Sequence, residues 1–503
     1  IFIICVYFMY IGIDLGTSGV KTILIDYNQD ILATAHSPLT VQSPKDGFNE
    51  QDPNSWIKAT EICLAELKKQ KSKEFSNTIS IGISGHMHGA TIIDDQGKVI
   101  RPCILWNDTR AFKECEEFEN QDFDVRNISG NIAMPGFTAP KINWLIKNES
   151  ENFKKITKVL LPKDYLRYYL TGEFFSDMSD ASGTLWMDIK NRQWSEQLLE
   201  ISNLNINHMP KLVEGNQEAG MLSSKLKEKF NFNKNVTVVG GAGDNAASAA
   251  GLGVVEENQS FISLGTSGVF FTPTSNFLMN TKDAVHSFCH CIPNKWHLMS
   301  VMLSASNCLD WISSITGTSI SDTLKNVENF SKDIDNISNA PYFLPYLSGE
   351  RTPHNNPHVR GSFHFIKTTT KVTNLQYAVL EGISFGILDG VTSISKVNNN
   401  FKDIFVVGGG SRSSFWINLL ASTLNRDLHV CEQSEYGAAL GVARLAMFVD
   451  NEIVEKENII KKIKINKDYF PKDNFLNILQ KRYQIWKNIY SSNDQVINLY
   501  NSI

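Results

Sequence analysis

The strongest chemical signal in this chain is one six-residue string that occurs twice: Leu15–Val20 and Leu264–Val269 both read LGTSGV. A Gly-Thr-Ser-Gly turn lets backbone approach a ligand closely, and its N–H groups and hydroxyls, those of Thr17 and Ser18 in the first copy, can donate to phosphate oxygens. A single such turn reads as well as a plain tight hairpin. Two in matching positions suggest two lobes gripping one polyphosphate from opposite sides of a cleft. The copies differ at the residue two before the turn, Asp14 in the first and Ser263 in the second. A carboxylate beside phosphates repels them unless a divalent cation lies between, so Asp14 is read as a residue that organises Mg²⁺, directly or through water. An Asp that merely caps the turn is the plainer alternative.

Three further stretches offer chemistry. NVTVVGG leads to Ala242-Gly243-Asp244-Asn245 and a run of small residues, the pattern of a strand, a tight turn and a helix. Asp244 then sits near a helix N-terminus, where the dipole favours an ionised carboxylate; it is a candidate base, or an ordinary N-cap. The same letters fit a loose dinucleotide fingerprint, but the acidic residue that such a site needs about 20 residues on is absent from FISLGTSG. DIFVV runs into Gly408-Gly409-Gly410-Ser411-Arg412 and then a helix starting near Ser413, exposed backbone against which a nucleotide can lie. There is no P-loop string, so a nucleotide site is expected to be a two-lobed clamp. His86 and His88 in ISGHMHG are expected on one side of a strand by alternation. His286, Cys289, His290 and Cys291 read as strand residues in preference to a zinc site.

These residues need elements to hold them. Each LGTSGV follows one β-prone run and leaves on another, and ILATAHSP and KWHLMSVML supply a third strand in each half. The chain therefore reads as two homologous halves. Its 503 residues, 42% apolar and 20% charged, suit two large globular domains and exclude a small disulfide scaffold or a disordered protein. The net charge of −5, from 48 basic and 53 acidic residues, asks for neither nucleic acid nor an anionic membrane. Eight scattered cysteines suit a reducing cytoplasm. The apolar opening, IFIICVYFMYIGI, is too short for a spanning helix and lacks signal-peptide features; residues 1–8 read as sequence upstream of a start at Met9. Glu455–Tyr490 reads as a Lys-rich helical stretch with a solvated face.

Taken in order, MYIGIDLGTSGVK, DGFNEQDPNSW, GHMHGAT, RPCILWND, MPGFTAPKINWL, LLPKDYLRYYLTGEF, SDMSDASGT, GAGDNAA, SLGTSGV, HSFCH, FLPYLSGERTPHNNP and VVGGGSRSSFW resemble the FGGY carbohydrate kinases over nearly the whole chain. The resemblance implies an α/β fold of two duplicated actin-like (ribonuclease-H-like) ATPase domains with the active-site cleft between them, residues 9–245 on the sugar and phosphate side and 246–490 on the nucleotide side. By matching positions Asp244 is the proton acceptor and Asp14 the essential phosphate-side acid. Met87, His88 and Asn245 fall at sugar positions, and Gly265, Thr266, Gly409 and Gly410 at nucleotide positions. ATP and Mg²⁺ are the implied cofactors, and a homodimer is compatible with the resemblance. GERTPHNNP and HMHG resemble the xylulose-directed branch, so the expected reaction is phosphorylation of the terminal hydroxyl of D-xylulose. Another ketose or polyol is one alternative; an actin-like or chaperone-like ATPase is the other. Three positions depart from the family pattern: His86 for Gln, Ala242 for Gly and Phe365 for Gly.

Overall fold

The computed structural model describes residues 8–432, 436–450, 453, 455–462 and 464–500, with side chains as far as Ser492. Phe8 apart, the segment ahead of Met9 lies outside the described residues. The first sheet is laid down by β1 (Met9–Gly16), β2 (Gly19–Ile25), β3 (Ile31–Pro38), β4 (Thr78–Gly85), β5 (Glu218–Met221), β6 (Thr237–Val239) and the short β7 (Ala242–Gly243). Its spatial order is β5-β6-β4-β1-β2-β3, with β7 also on β4. The second sheet comprises β8 (Gln259–Leu264), β9 (Gly268–Thr274), β10 (His286–Cys289), β11 (Trp296–Met302), β12 (Asp403–Val407), β13 (Leu428–Cys431) and β14 (Ile465–Tyr469), in the order β10-β11-β9-β8-β12-β13-β14.

The duplication expected from LGTSGV is visible in the pairing. Each sheet contains a three-stranded antiparallel meander, β1-β2-β3 and β8-β9-β11, and a later strand, β4 or β12, joins the first in parallel; in the second half β10 intervenes in the chain and adds to the outer edge of β11. The hairpins are not identical. Gly16 pairs with Gly19 across a two-residue tip, whereas Leu264 pairs with Gly268 across three residues. Central strands such as β1 are buried on both faces, which explains their nearly unbroken apolar lettering.

Helices cover the sheets. Helix α1 (Pro53–Gln70) starts where the Asp52 carboxylate accepts from the Asn54 N–H at 3.0 Å, with Pro53 in the first turn, where its missing N–H costs nothing. In the second lobe α2 (Val372–Ser395) is long and apolar enough to cross a membrane, but it is buried in the core among Ile262, Phe343 and Trp416. Between the sheets lie α3 (Asp244–Leu252) and α4 (Gly437–Met447), a pair built from small residues. Close approach requires them: a Cβ on Gly441 would meet the Ala247 carbonyl at 1.8 Å. A Cβ on Gly82 of β4 would meet the Val442 carbonyl at 1.9 Å. Helix α4, near the end of the chain, thus packs on the first sheet, where Ala439, Leu440 and Ala443 join Tyr10, Ile23 and Ile25.

Two expectations are corrected. The stretch Glu455–Tyr490 is not one solvated helix: it contains β14 and most of the first turns of α5 (Asp473–Tyr500), whose Tyr483 and Trp486 are buried. On that helix the Arg482 guanidinium forms a buried pair with Glu381 at 2.7 Å, so its inner face is part of the core. Likewise β4 ends at Gly85, so His86 and His88 leave the strand and diverge. Phe365, at a position where the family favours Gly, keeps the left-handed backbone with φ +62° and leaves its ring largely exposed; a bulky residue holds that conformation only under constraint from its surroundings.

Candidate active site

The carboxylates singled out by sequence meet at the C-terminal ends of neighbouring strands. Asp14 pairs in register with Ser84 of β4, and Ser84 Oγ donates to its carboxylate at 2.8 Å. Ala242 of β7 also pairs with Ser84, from the other side of β4, which brings Asp244 beside the same strand end. Gly243 is the N-cap of α3, and Asp244 is its first residue. The Asp244 carboxylate accepts from the Asn245 backbone N–H at 2.7 Å and from Asn245 Nδ2 at 2.9 Å. Burial, reinforced by the charge of Asp14, pushes Asp244 up to about 7 against the lowering effect of those two bonds. Burial also raises Asp14, opposed by Ser84 and by Lys21. Two desolvated carboxylates that raise each other's charging cost suit a divalent cation, so the donor set fits Mg²⁺ on the Asp14 side.

The residues expected at the sugar lie next to this pair. Met87 is wedged between two glycines: a Cβ on Gly243 would meet its Cγ at 2.9 Å, and one on Gly183 its Cε at 3.0 Å. His88 adopts φ +69° and places Nδ1 2.7 Å from the Gly183 carbonyl. A carbonyl can only accept, and burial holds the imidazole down to about 3; the neutral ring therefore carries its proton on Nδ1 and leaves Nε2 as an acceptor. The His88 carbonyl is itself held by Lys141 Nζ at 2.9 Å and Thr138 Oγ1 at 3.1 Å. His86 points away, its ring edge-on to Trp56 with centroids 5.6 Å apart.

In the first hairpin, where phosphate contact is expected, Trp106 Nε1 donates to Thr17 Oγ1 at 3.0 Å, and Ser18 is exposed at the tip. In the second hairpin the carbonyls of Gly265 and Thr266 accept from Ser306 and Ala305 N–H groups, both at 2.9 Å, and Thr266 is exposed. The triple-glycine loop lies against this hairpin: a Cβ on Gly408 would meet the Leu264 carbonyl at 2.7 Å. Its members differ. Gly409 is exposed with open space before it, while Gly410 is buried against Leu264 and Trp416. Lys21 of the first lobe and Gly408, Gly409, Arg412 and Tyr469 of the second line one cavity of about 580 Å³. A second interlobe cavity of about 460 Å³ is lined by Trp106 and Gly136 from one lobe and Glu350 and Arg351 from the other.

Ser84, Lys141, Thr138 and Gly183 were missed as site residues by sequence reasoning. Lys141 and Gly183 lie in GFTAPKINWL and SDASGT, strings that identify a family but carry no chemical pattern of their own. The cluster His286, Cys289, His290 and Cys291 is buried among aromatic rings, with His286 stacked on Phe288. Among the described residues no group of three or more His, Cys, Asp or Glu is placed to hold a metal.

Residues 9–251 match the N-terminal domain, and residues 260–449 the C-terminal domain, of the FGGY family of carbohydrate kinases. The chain is 42% identical to the xylulose kinase of Escherichia coli K12, over 96% of this chain and 98% of that one. A xyloylose kinase from Brucella ovis superimposes with a TM-score of 0.93 at 42% identity, covering 97% of this chain and all of the other. The xylulose kinase of Rhodospirillum rubrum, at 21% identity, shares the fold with a TM-score of 0.89 over 97% and 100% of the two chains. Matched in both halves and alike in sequence and architecture over nearly its whole length, this chain of paired actin-like lobes belongs to the FGGY family of carbohydrate kinases.

Proposed function

We propose that this chain transfers the γ-phosphoryl group of ATP to the terminal hydroxyl of D-xylulose, forming D-xylulose 5-phosphate. The observation that carries this reading is that Asp14 and the segment leading to Asp244 flank the same end of β4, through Ser84, with Asp244 at a helix N-terminus and raised to about 7. A carboxylate so tuned ionises near neutral pH and accepts a hydroxyl proton as the new bond forms. The proton moves late in a loose phosphoryl transfer, so positioning and charge neutralisation matter more than base strength. The similarity to xylulose kinases over nearly the whole chain supports xylulose as the acceptor.

In this reading Met87, His88 and Asn245 hold the sugar, with the unprotonated Nε2 of His88 accepting from a sugar hydroxyl. Thr17, Ser18, Gly265, Thr266 and Gly409 contact the polyphosphate and nucleotide, while Gly410 supports the loop from behind. Asp14 holds Mg²⁺, which when bound screens the phosphate charges. The sugar and phosphate side is residues 9–245 and the nucleotide side residues 246–490, with α4 returning to the first sheet. The test is sugar-dependent ADP release across a panel of ketoses and polyols. Xylulose is expected to give the highest kcat/KM; a higher value for another ketose would reassign the acceptor, and ADP release indifferent to every sugar would remove the kinase reading.

A further inference from the structure

The loop that leads to Asp244 is Gly240-Gly241, followed by the two-residue strand β7 (Ala242-Gly243), which is held to β4 on one side only. Such a sequence has little stiffness of its own, yet a base must be held to a fraction of an ångström. Two anchors reach the loop from one buried ionic cluster. Lys163, Asp164, Arg167, Asp177 and Asp180 are all fully buried. Lys163 Nζ lies 2.6 Å from Asp164, 2.8 Å from Asp177 and 3.4 Å from Asp180. Arg167, paired with Asp164 at 3.0 Å, donates its other terminal nitrogen to the Gly240 carbonyl. Asp177 accepts from the Ser179 N–H at 2.8 Å and from its hydroxyl at 2.5 Å. With its proton so committed, Ser179 Oγ receives the Gly243 N–H at 3.1 Å.

Gly243 is the residue immediately before Asp244, and its N–H leaves the sheet to reach Ser179. The same turn continues to Ser182, whose hydroxyl accepts from the Cys289 N–H of the second lobe at 3.0 Å, and to Gly183, whose carbonyl orients His88. We infer that Ser179 is a positioning residue for phosphoryl transfer. Oriented by Asp177 on Lys163, it clamps the Gly243 peptide and so aims the Asp244 carboxylate at the acceptor hydroxyl. The inference rests on the assignment of Asp244 as the base.

The decisive variant is Ser179→Ala in the full chain. It is expected to lower kcat roughly ten- to a hundredfold while the calorimetric Kd for xylulose and the KM for ATP stay within about twofold. Ser179→Thr, which keeps the hydroxyl, is expected to recover most of the lost kcat. Asp244→Asn, measured in parallel, separates the two assignments: full turnover in that variant removes the base assignment and the inference with it. An inactive Asp244→Asn beside a Ser179→Ala that turns over within about twofold of the parent overturns the role of Ser179 alone. Loss of xylulose affinity in step with kcat, or no recovery with Thr, also overturns it. Should the alanine variant fail to fold, Ser179→Cys, with a weakly accepting sulfur, replaces it under the same criteria. Failure of both to fold would show that the hydroxyl holds the lobe together and does not specifically aim the base.

Discussion

At the scale of single residues, Asp244 has a double cost. Its carboxyl is raised to about 7 from an ordinary 3.8, so the folded protein binds a proton there that the unfolded chain has released. Stability from this group is present at low pH and is lost as the pH rises through about 7. In ligand-free, metal-free protein, Asp244→Asn is therefore expected to melt a degree or more above the parent at pH 8, with the gap closing as the pH is lowered toward 4. Equal melting curves at both values would show that the charge is not desolvated. The same variant is expected to bind xylulose while turnover drops roughly 10²–10⁴-fold, read by calorimetry and initial rates on one preparation. His88→Ala removes an acceptor fixed by the Gly183 carbonyl; it is expected to weaken xylulose by about 1–3 kcal/mol and to leave the KM for ATP unchanged. Asp14, Asp244 and His88 could be singled out from letters because ionisable side chains beside glycine turns are candidates for ligand contact as much as for capping. Lys141 could not be, since nothing in GFTAPKINWL shows that its ammonium ends on the His88 and Gly136 carbonyls.

At the scale of elements, the hairpins, their third strands and the helix after the triple glycine were all legible, because period-two alternation and glycine turns are local signals. What escaped was set by tertiary contact. His86 and His88 face different ways since β4 stops at Gly85, and the apparent solvated stretch near the C-terminus hides a buried face whose Arg482 pairs with a glutamate 101 residues away in sequence. Glycines of similar appearance also part company here. A methyl on Gly82 would overlap the Val442 carbonyl, while one on Gly409 meets nothing within 4 Å. Gly82→Ala is expected to cost about 1–3 kcal/mol or more in urea unfolding. Gly409→Ala is expected to unfold like the parent but to raise the KM for ATP, because its methyl would stand in open space at the cavity proposed for the nucleotide. A destabilised Gly409→Ala with unchanged KM would place the nucleotide elsewhere.

At the scale of the whole molecule, both cavities are walled by residues from both lobes, Lys21 with Gly409 in one and Gly136 with Arg351 in the other. A ligand that contacts both walls stabilises whichever arrangement brings them closest. Small-angle scattering is expected to show a smaller radius of gyration with xylulose and a non-hydrolysable ATP analogue together than with neither. An unchanged radius would mean that the lobes are already fully closed. The duplicated plan was readable from two identical hexapeptides, but the way the halves are joined was not, because no local pattern announces that a helix drawn from residues 437–447 will settle on strands formed by residues 9–25 and 78–85.

That return of α4 bears on how the protein is made. On the ribosome, β1 and β4 emerge about 350 residues or more before the face of the first sheet that they build can receive Ala439 and Ala443. The first lobe is thus laid down with an apolar face that residues 437–447 go on to cover. A polypeptide released short of Gly437 lacks the side chains that cover this face and is expected to leave it exposed.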